Sequence, residues 1–258
     1  MKHKILIAAD QNSAINDLVK QTLGLLNEVD TKLFSLCLLD AQFEKKLAVA
    51  GAAGQHNKPD LISTIEFELN FDEAACQWSN VEVVKDAFGT SSLKSVSTVA
   101  DLLVVDMKVL LHDYGLKTLK ELLKRVDCPV LLISEHLVID NLVIVHSGST
   151  GIVSGVKHFL NLFATSLRDL PVSVYVSDPE SGTHIDNEKA FISYLKLFFN
   201  DIGIQLIHGN IQDNLFETVS RQSPSSLVIM DKQVSNLLVT KKGEMADKFT
   251  SFIYNKEY

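Results

Sequence analysis

Short apolar runs recur along the chain with helical patterns between them. KILIAA (4–9) reads as a strand buried on both faces. Asn12-Ser13 then caps a helix whose apolar stripe is Ile15, Leu18, Val19, Leu23 and Leu26. KLFSLCLLD (32–40) is a second strand. Residues 60–78 carry Leu61, Ile65, Leu69 and Ala75 at helical spacing. VEVV (81–84) is a third strand, and Ser91-Ser92 caps a short helix through Val99. DLLVVD (101–106) is a fourth strand, and LKTLKELLKRV (116–126) an amphipathic helix whose basic last turn suits its dipole. CPVLLIS (128–134) is a fifth strand, with its proline at the start, where a missing N–H matters least.

The pattern then begins again. NLVIVHSGS (141–149) aligns with KILIAADQN (4–12) at an offset of 137 positions, 141 less 4. PVSVYVSD (171–178) aligns with LFSLCLLD (33–40), matching Asp40 with Asp178. IQLIHG (204–209) takes the place of VEVVKD, and SSLVIMDK (225–232) that of LLVVDMK. Helical patterns fall between them at 150–168, 187–200 and 211–221.

Two copies of one βαβαβαβ plan in tandem predict an α/β protein. Strands separated by helices pair in parallel through right-handed crossovers, with helices on both faces. The expected architecture is two tandem doubly wound parallel-sheet domains, 1–136 and 137–258, meeting near Glu135–Asp140 without a proline- or glycine-rich linker. The first copy has an extra segment at 41–58 whose Gly-Ala-Ala-Gly suggests a loop. The second has no counterpart of CPVLLIS: after SLVIMD, VSNLLVTKKG leads into EMADKFTSFIYNKEY, read as a helix. That leaves an apolar edge beside SLVIMD for the C-terminal segment or a homodimer partner to cover.

Composition narrows the function. The 258 residues are 46% hydrophobic and 22% charged, ordinary for a globular protein. A net charge of −8 opposes nucleic acid or an anionic membrane as partner. No apolar run reaches membrane-spanning length, and Asp10 ends the first one too early for a signal peptide, so a cytoplasmic location is expected. Cys37, Cys76 and Cys128 are scattered, which predicts buried reduced thiols and no zinc site.

Five parallel strands, a helix after each of the first four, and a short CPVLLI-type closing strand resemble the universal stress protein family, here as a tandem pair. ADLLVVD, RVDCPVLLIS and the opening KILIAADQNS carry the resemblance. It implies an adenine nucleotide alpha hydrolase-like, Rossmann-like three-layer α/β/α fold. It also implies fifth strands that pair across a dimer or internal pseudo-dimer. ATP-binding members of that family carry a G-x2-G-x9-G-[ST] loop after the fourth strand and an aspartate ending the first. Asp10 matches the aspartate; in the second copy that place falls to His146 or Ser147. The loop is missing from both copies, where only Gly115 and Gly243 stand. MKVLLHDYG (107–115) offers bulky side chains, one lysine and an aspartate, a poor cradle for a triphosphate, and reads as an apolar segment that packs against the other half or a partner.

Other candidates are modest. HSGSTGIVSG (146–155) follows a strand and opens a helix, so it could hold an anion, although Ser149 or Thr150 is more simply an N-cap. Aspartates close the strands at Asp10, Asp40, Asp106, Asp178 and Asp231, where open parallel sheets bind ligands, but aspartate there also turns the chain and caps the next helix. His112-Asp113 and His146 lack a nucleophile beside them. Phe191, Tyr194, Phe198 and Phe199 read as core or interface.

The reading is a stress-response protein acting by binding or assembly, not an enzyme, with no catalytic residue, no metal and no cofactor. A homodimer or internal pseudo-dimer through sheet edges is expected, with an unidentified protein as a further partner. The competing reading is an ATP-binding stress sensor with slow ATPase activity at most. Its strand-end cleft would use Asp10, Ser13, Asp40, Asp106, Ser147, Gly148 and Ser149.

Overall fold

The computed structural model describes residues 3–10, 15–26, 32–39, 81–84, 90–111, 115–134, 138–146, 148–177, 185–207, 214, 217–218, 221, 223–241 and 249–255. The predicted helices at 60–78 and 211–221 and the 41–58 segment lie wholly or mostly outside them.

The described strands are β1 (His3–Asp10), β2 (Lys32–Leu39), β3 (Val81–Val84), β4 (Leu102–Asp106) and β5 (Val130–Ile133), then β6 (Asn141–His146), β7 (Val172–Ser177), β8 (Ile202–Ile207), β9 (Ser226–Asp231) and β10 (Thr250–Tyr254). They form one sheet in the order β3-β2-β1-β4-β5-β10-β9-β6-β7-β8. Neighbours pair in parallel everywhere except between β5 and β10, which are antiparallel. Each half thus repeats one strand order, and the halves meet at a single antiparallel seam. The two sheets expected from the sequence are one.

The helices are α1 (Ile15–Leu25), α2 (Thr90–Thr98), α3 (Met107–Val109), α4 (Gly115–Arg125), α5 (Thr150–Leu162), α6 (Ile185–Leu195) and α7 (Lys232–Lys241), with a 3-10 turn at Thr165–Asp169. They divide between the two sheet faces. Ile5, Ile7, Leu102, Val104, Leu142 and Ile144 join a core under α1, α5 and α6. Leu6, Ala8, Leu103, Val105, Val143 and Val228 join another, under α2, α4 and α7. Burial on both faces explains why these strands are unbroken apolar runs. Met107 and Leu110 are fully buried in the second core with Val234, Phe249 and Ile253 from the other half. Met107 and Leu110 therefore pack inward, as the apolar character of the segment suggests.

The C-terminal reading needs correction. Thr250–Tyr254 is not helical but the fifth strand of the second half. It pairs in parallel with β9 and antiparallel with β5, so the C-terminal segment covers the edge beside SLVIMD. The aromatic and β-branched run TSFIY is buried on both faces, and such residues fit a pleated surface better than a helix stripe. The third-strand alignment also shifts. Val172 pairs with Ile202 as Phe34 pairs with Val81, so Val81 corresponds to Ile202 and not to Ile204.

Packing at the seam is aromatic. Phe252 meets Phe159 and Phe163 edge-on at 5.7 and 5.5 Å, and those two stack at 4.4 Å. Asn255 donates through Nδ2 to the carbonyls of Leu123 (2.8 Å) and Val126 (3.1 Å), satisfying the C-terminal end of α4. Across the halves, His158 on α5 meets the carbonyl of Asp101 at 3.0 Å, and Asp101 accepts from the Lys4 N–H at 2.9 Å. Cys128 is buried and outside any disulfide; Cys76 and the Cys37 side chain lie outside the described set. No helix among the described residues is long and apolar enough to cross a membrane.

Candidate functional site

In an open parallel sheet the carboxyl ends of adjacent strands form the natural ligand cleft. Here those adjacent strands are β1 and β4 in the first half, β6 and β9 in the second. Ile5 pairs with Leu102, and Leu142 with Leu227. That register makes Asp106 equivalent to Asp231 and lays His146 on Ala9, not on Asp10.

The second half shows its cleft in detail. β6 ends at His146, whose ring is buried and stands edge-on to Phe191 at 5.0 Å. Its Nδ1 accepts the Gly148 N–H at 2.9 Å, which in a neutral ring puts the proton on Nε2. Gly148 has φ +86°, a left-handed conformation that suits glycine in this tight exit. Ser149 then starts α5, but its hydroxyl makes no capping bond to the helix. It donates to Asp231 Oδ2 at 2.5 Å, joining the ends of β6 and β9. Asp231 Oδ1 accepts the Val234 N–H at 2.9 Å, so this buried carboxylate caps α7 while holding Ser149. Gly151 leaves room for the arrangement: a Cβ there would lie 3.3 Å from Ser149 Oγ and 3.6 Å from Asp231 Cβ.

The first half repeats the central feature. Asp106 ends β4, and its Oδ1 accepts the Lys108 N–H at 2.9 Å. In both halves a helix begins on the residue after the strand: Met107 follows Asp106, and Lys232 follows Asp231. Among the described residues, no loop separates the fourth strand of either half from the helix that follows it. An N–H in the first turn of each helix points instead to that half's own carboxylate. A phosphate at either place would meet a negative charge and have to displace an N-cap bond worth about 1 kcal/mol.

Of the sequence candidates, Asp106, Gly148 and Ser149 stand at these strand ends. Asp10 closes β1, with its side chain outside the described set, as are Ser13, Asp40 and Ser147. Phe191 and Phe199 are core, and Tyr194 and Phe198 pack at 5.1 Å on its margin. Among the described residues, no group of three or more His, Cys, Asp or Glu could hold a metal. The Ser149–Asp231 bond was not foreseen. Its partners are 82 residues apart; the repeat lays Asp231 on Asp106, but the pairing of β6 with β9 that brings Ser149 to it comes from the strand order.

Neither a family model nor a curated protein matches the chain. Among solved structures, it is similar to the crystal structure of a universal stress protein from Archaeoglobus fulgidus DSM 4304. The TM-score is 0.57 at 10% identity, over 98% of this chain and 96% of that one. Along nearly its whole length, the chain therefore has a fold that a universal stress protein also adopts.

Proposed function

We propose that this is a tandem universal-stress-protein-like protein that acts in stress response by binding or assembly and does not hold ATP through a glycine-rich loop. One observation carries the reading. After the fourth strand of each half, a helix starts at once and its first turn is capped by Asp106 or Asp231. In each half a first-turn N–H that could meet a phosphate is held by that half's own carboxylate. The repeated strand order and the shared fold support the tandem part. On this reading the antiparallel β5–β10 seam acts as an internal pseudo-dimer contact.

The second reading is an adenine-nucleotide-binding sensor. It is favoured by the N-terminus of α5, which Ser149 does not cap because its hydroxyl is turned to Asp231. Isothermal titration of the full chain with ATP and magnesium separates the two. The expected result is no saturable binding; micromolar binding would establish the sensor and overturn the first reading.

A further inference from the structure

We infer that two copies of this chain pair through β8, the outer edge strand of the second half. The inference goes beyond the nucleotide question and does not depend on its answer.

β8 is last in the sheet order and pairs on one side with β7 along all six residues, from Val172–Ile202 to Ser177–Ile207. Among the described residues no strand lies on its other side. Exposed strand edges usually carry a lysine, a proline or a bulge that discourages pairing. The sequence IGIQLI has no charge and no proline, and its register is unbroken. Gly203 through Leu206 are exposed, with Ile204 51% and Leu206 50% accessible. Strand alternation puts Ile202, Ile204 and Leu206 on one face. Ile202 packs against the core under α6, so Ile204 and Leu206 carry that apolar face outward past its cover. Leu197, in the turn just after α6, is also 75% exposed.

Charge identifies the occupant. The chain carries −8, so two copies repel each other on average. A six-residue uncharged strand is where they can meet at little Coulomb cost. Antiparallel pairing of β8 with itself about a twofold axis is self-complementary and closes as a dimer. A basic partner would be drawn to the acidic surface instead. The opposite edge strand, β3, has the sequence VEVV and so lacks β8's uncharged character.

Sedimentation velocity on the full chain, with the Ile204→Lys and Leu206→Lys variants, tests this. Both side chains are exposed, so the variants should keep the native circular dichroism. The expected wild-type species is a dimer of the 28.6 kDa chain. Each lysine should weaken dimerisation roughly 10-fold or more, as loss of a central apolar anchor does. Hydrogen exchange on the wild type covers the case of a variant that misfolds: β8 amides should be better protected in concentrated than in dilute protein. A wild type that stays monomeric at its highest soluble concentration overturns the inference. So does a dimer unchanged by both lysines, growth past the dimer, or β8 exchange independent of concentration.

Discussion

Leu131 and Phe252 face each other across the antiparallel seam, and they occupy the same place in the two halves. β4 pairs Asp106 with Ile133, and β9 pairs Asp231 with Tyr254, so the equivalent of Leu131 is Phe252. A twofold pseudo-axis therefore passes through this pair. Leu26 and Phe163, joined by an antiparallel bridge, stand 137 positions apart (163 less 26) and mark the same axis on the helix layer. Each half thus buries against the other what it would otherwise leave bare.

Phe252→Ala should be among the most destabilising single changes. The ring is fully buried between Phe159 and Phe163 at the axis. Truncating a core phenylalanine costs about 3–5 kcal/mol. Urea denaturation followed by circular dichroism measures it; a loss below about 1 kcal/mol would show that the seam is loosely packed.

Two glycine-to-alanine changes should have opposite signs. Alanine is the better helix former by about 0.5–1 kcal/mol, and Gly24 in α1 has nothing within 4 Å of an added Cβ, so Gly24→Ala should stabilise. Gly155 in α5 is different: its Cβ would lie 2.8 Å from Tyr254 Cβ, an atom held by the β10 backbone. Gly155→Ala should therefore destabilise by about 1–3 kcal/mol through overpacking. Thermal melts of the two variants decide it, and a shared sign would contradict the close approach of α5 to β10.

Asn255→Ala removes the amide that satisfies two carbonyls at the end of α4. Leaving buried acceptors unpaired costs about 1–3 kcal/mol. The loss should appear as faster hydrogen exchange at the C-terminal end of α4, together with a lower denaturation midpoint. Unchanged exchange there would mean that water replaces the amide.

Much of this was legible in the sequence, and the failures have physical causes. ILIA, LLVV and LVIV announced themselves because strands buried on both faces are unbroken apolar runs. TSFIY does not stand out as a strand because EMADKF before it reads as helix, and its strand character comes from β5 and β9 on either side. Ile202 and Gly203 do not read as part of β8 because the glycine interrupts the apolar run. The capping role of Asp106 and Asp231 follows from an aspartate at a strand end. The bond between Ser149 and Asp231 required the strand order, which pattern alone does not set.

Tyr194 should titrate above its ordinary value of 10.0, because burial disfavours the phenolate and the nearby Arg168 charge offsets this only in part. A raised value in the fold means that the neutral ring is the favoured form. Its contribution is present in full below pH 10 and is lost as pH rises through the folded value. The side chain is partly exposed, so the effect is small. Ultraviolet titration of wild type against Tyr194→Phe should show one phenol missing from the late part of the curve. A phenol missing from the early part would reverse the assignment.

The link between Ser149 and Asp231 is best tested by a double-mutant cycle. Ser149→Ala removes a donor from a buried carboxylate, and hydrogen bonds to charged groups contribute about 1.5–3 kcal/mol. Asp231→Ala removes that acceptor together with the cap on Val234, so it should cost more. In the Asp231→Ala background the serine has lost its acceptor, and its own substitution should be close to neutral. Denaturant midpoints of the four proteins give the coupling. Additive losses would mean that the two strand ends are held independently.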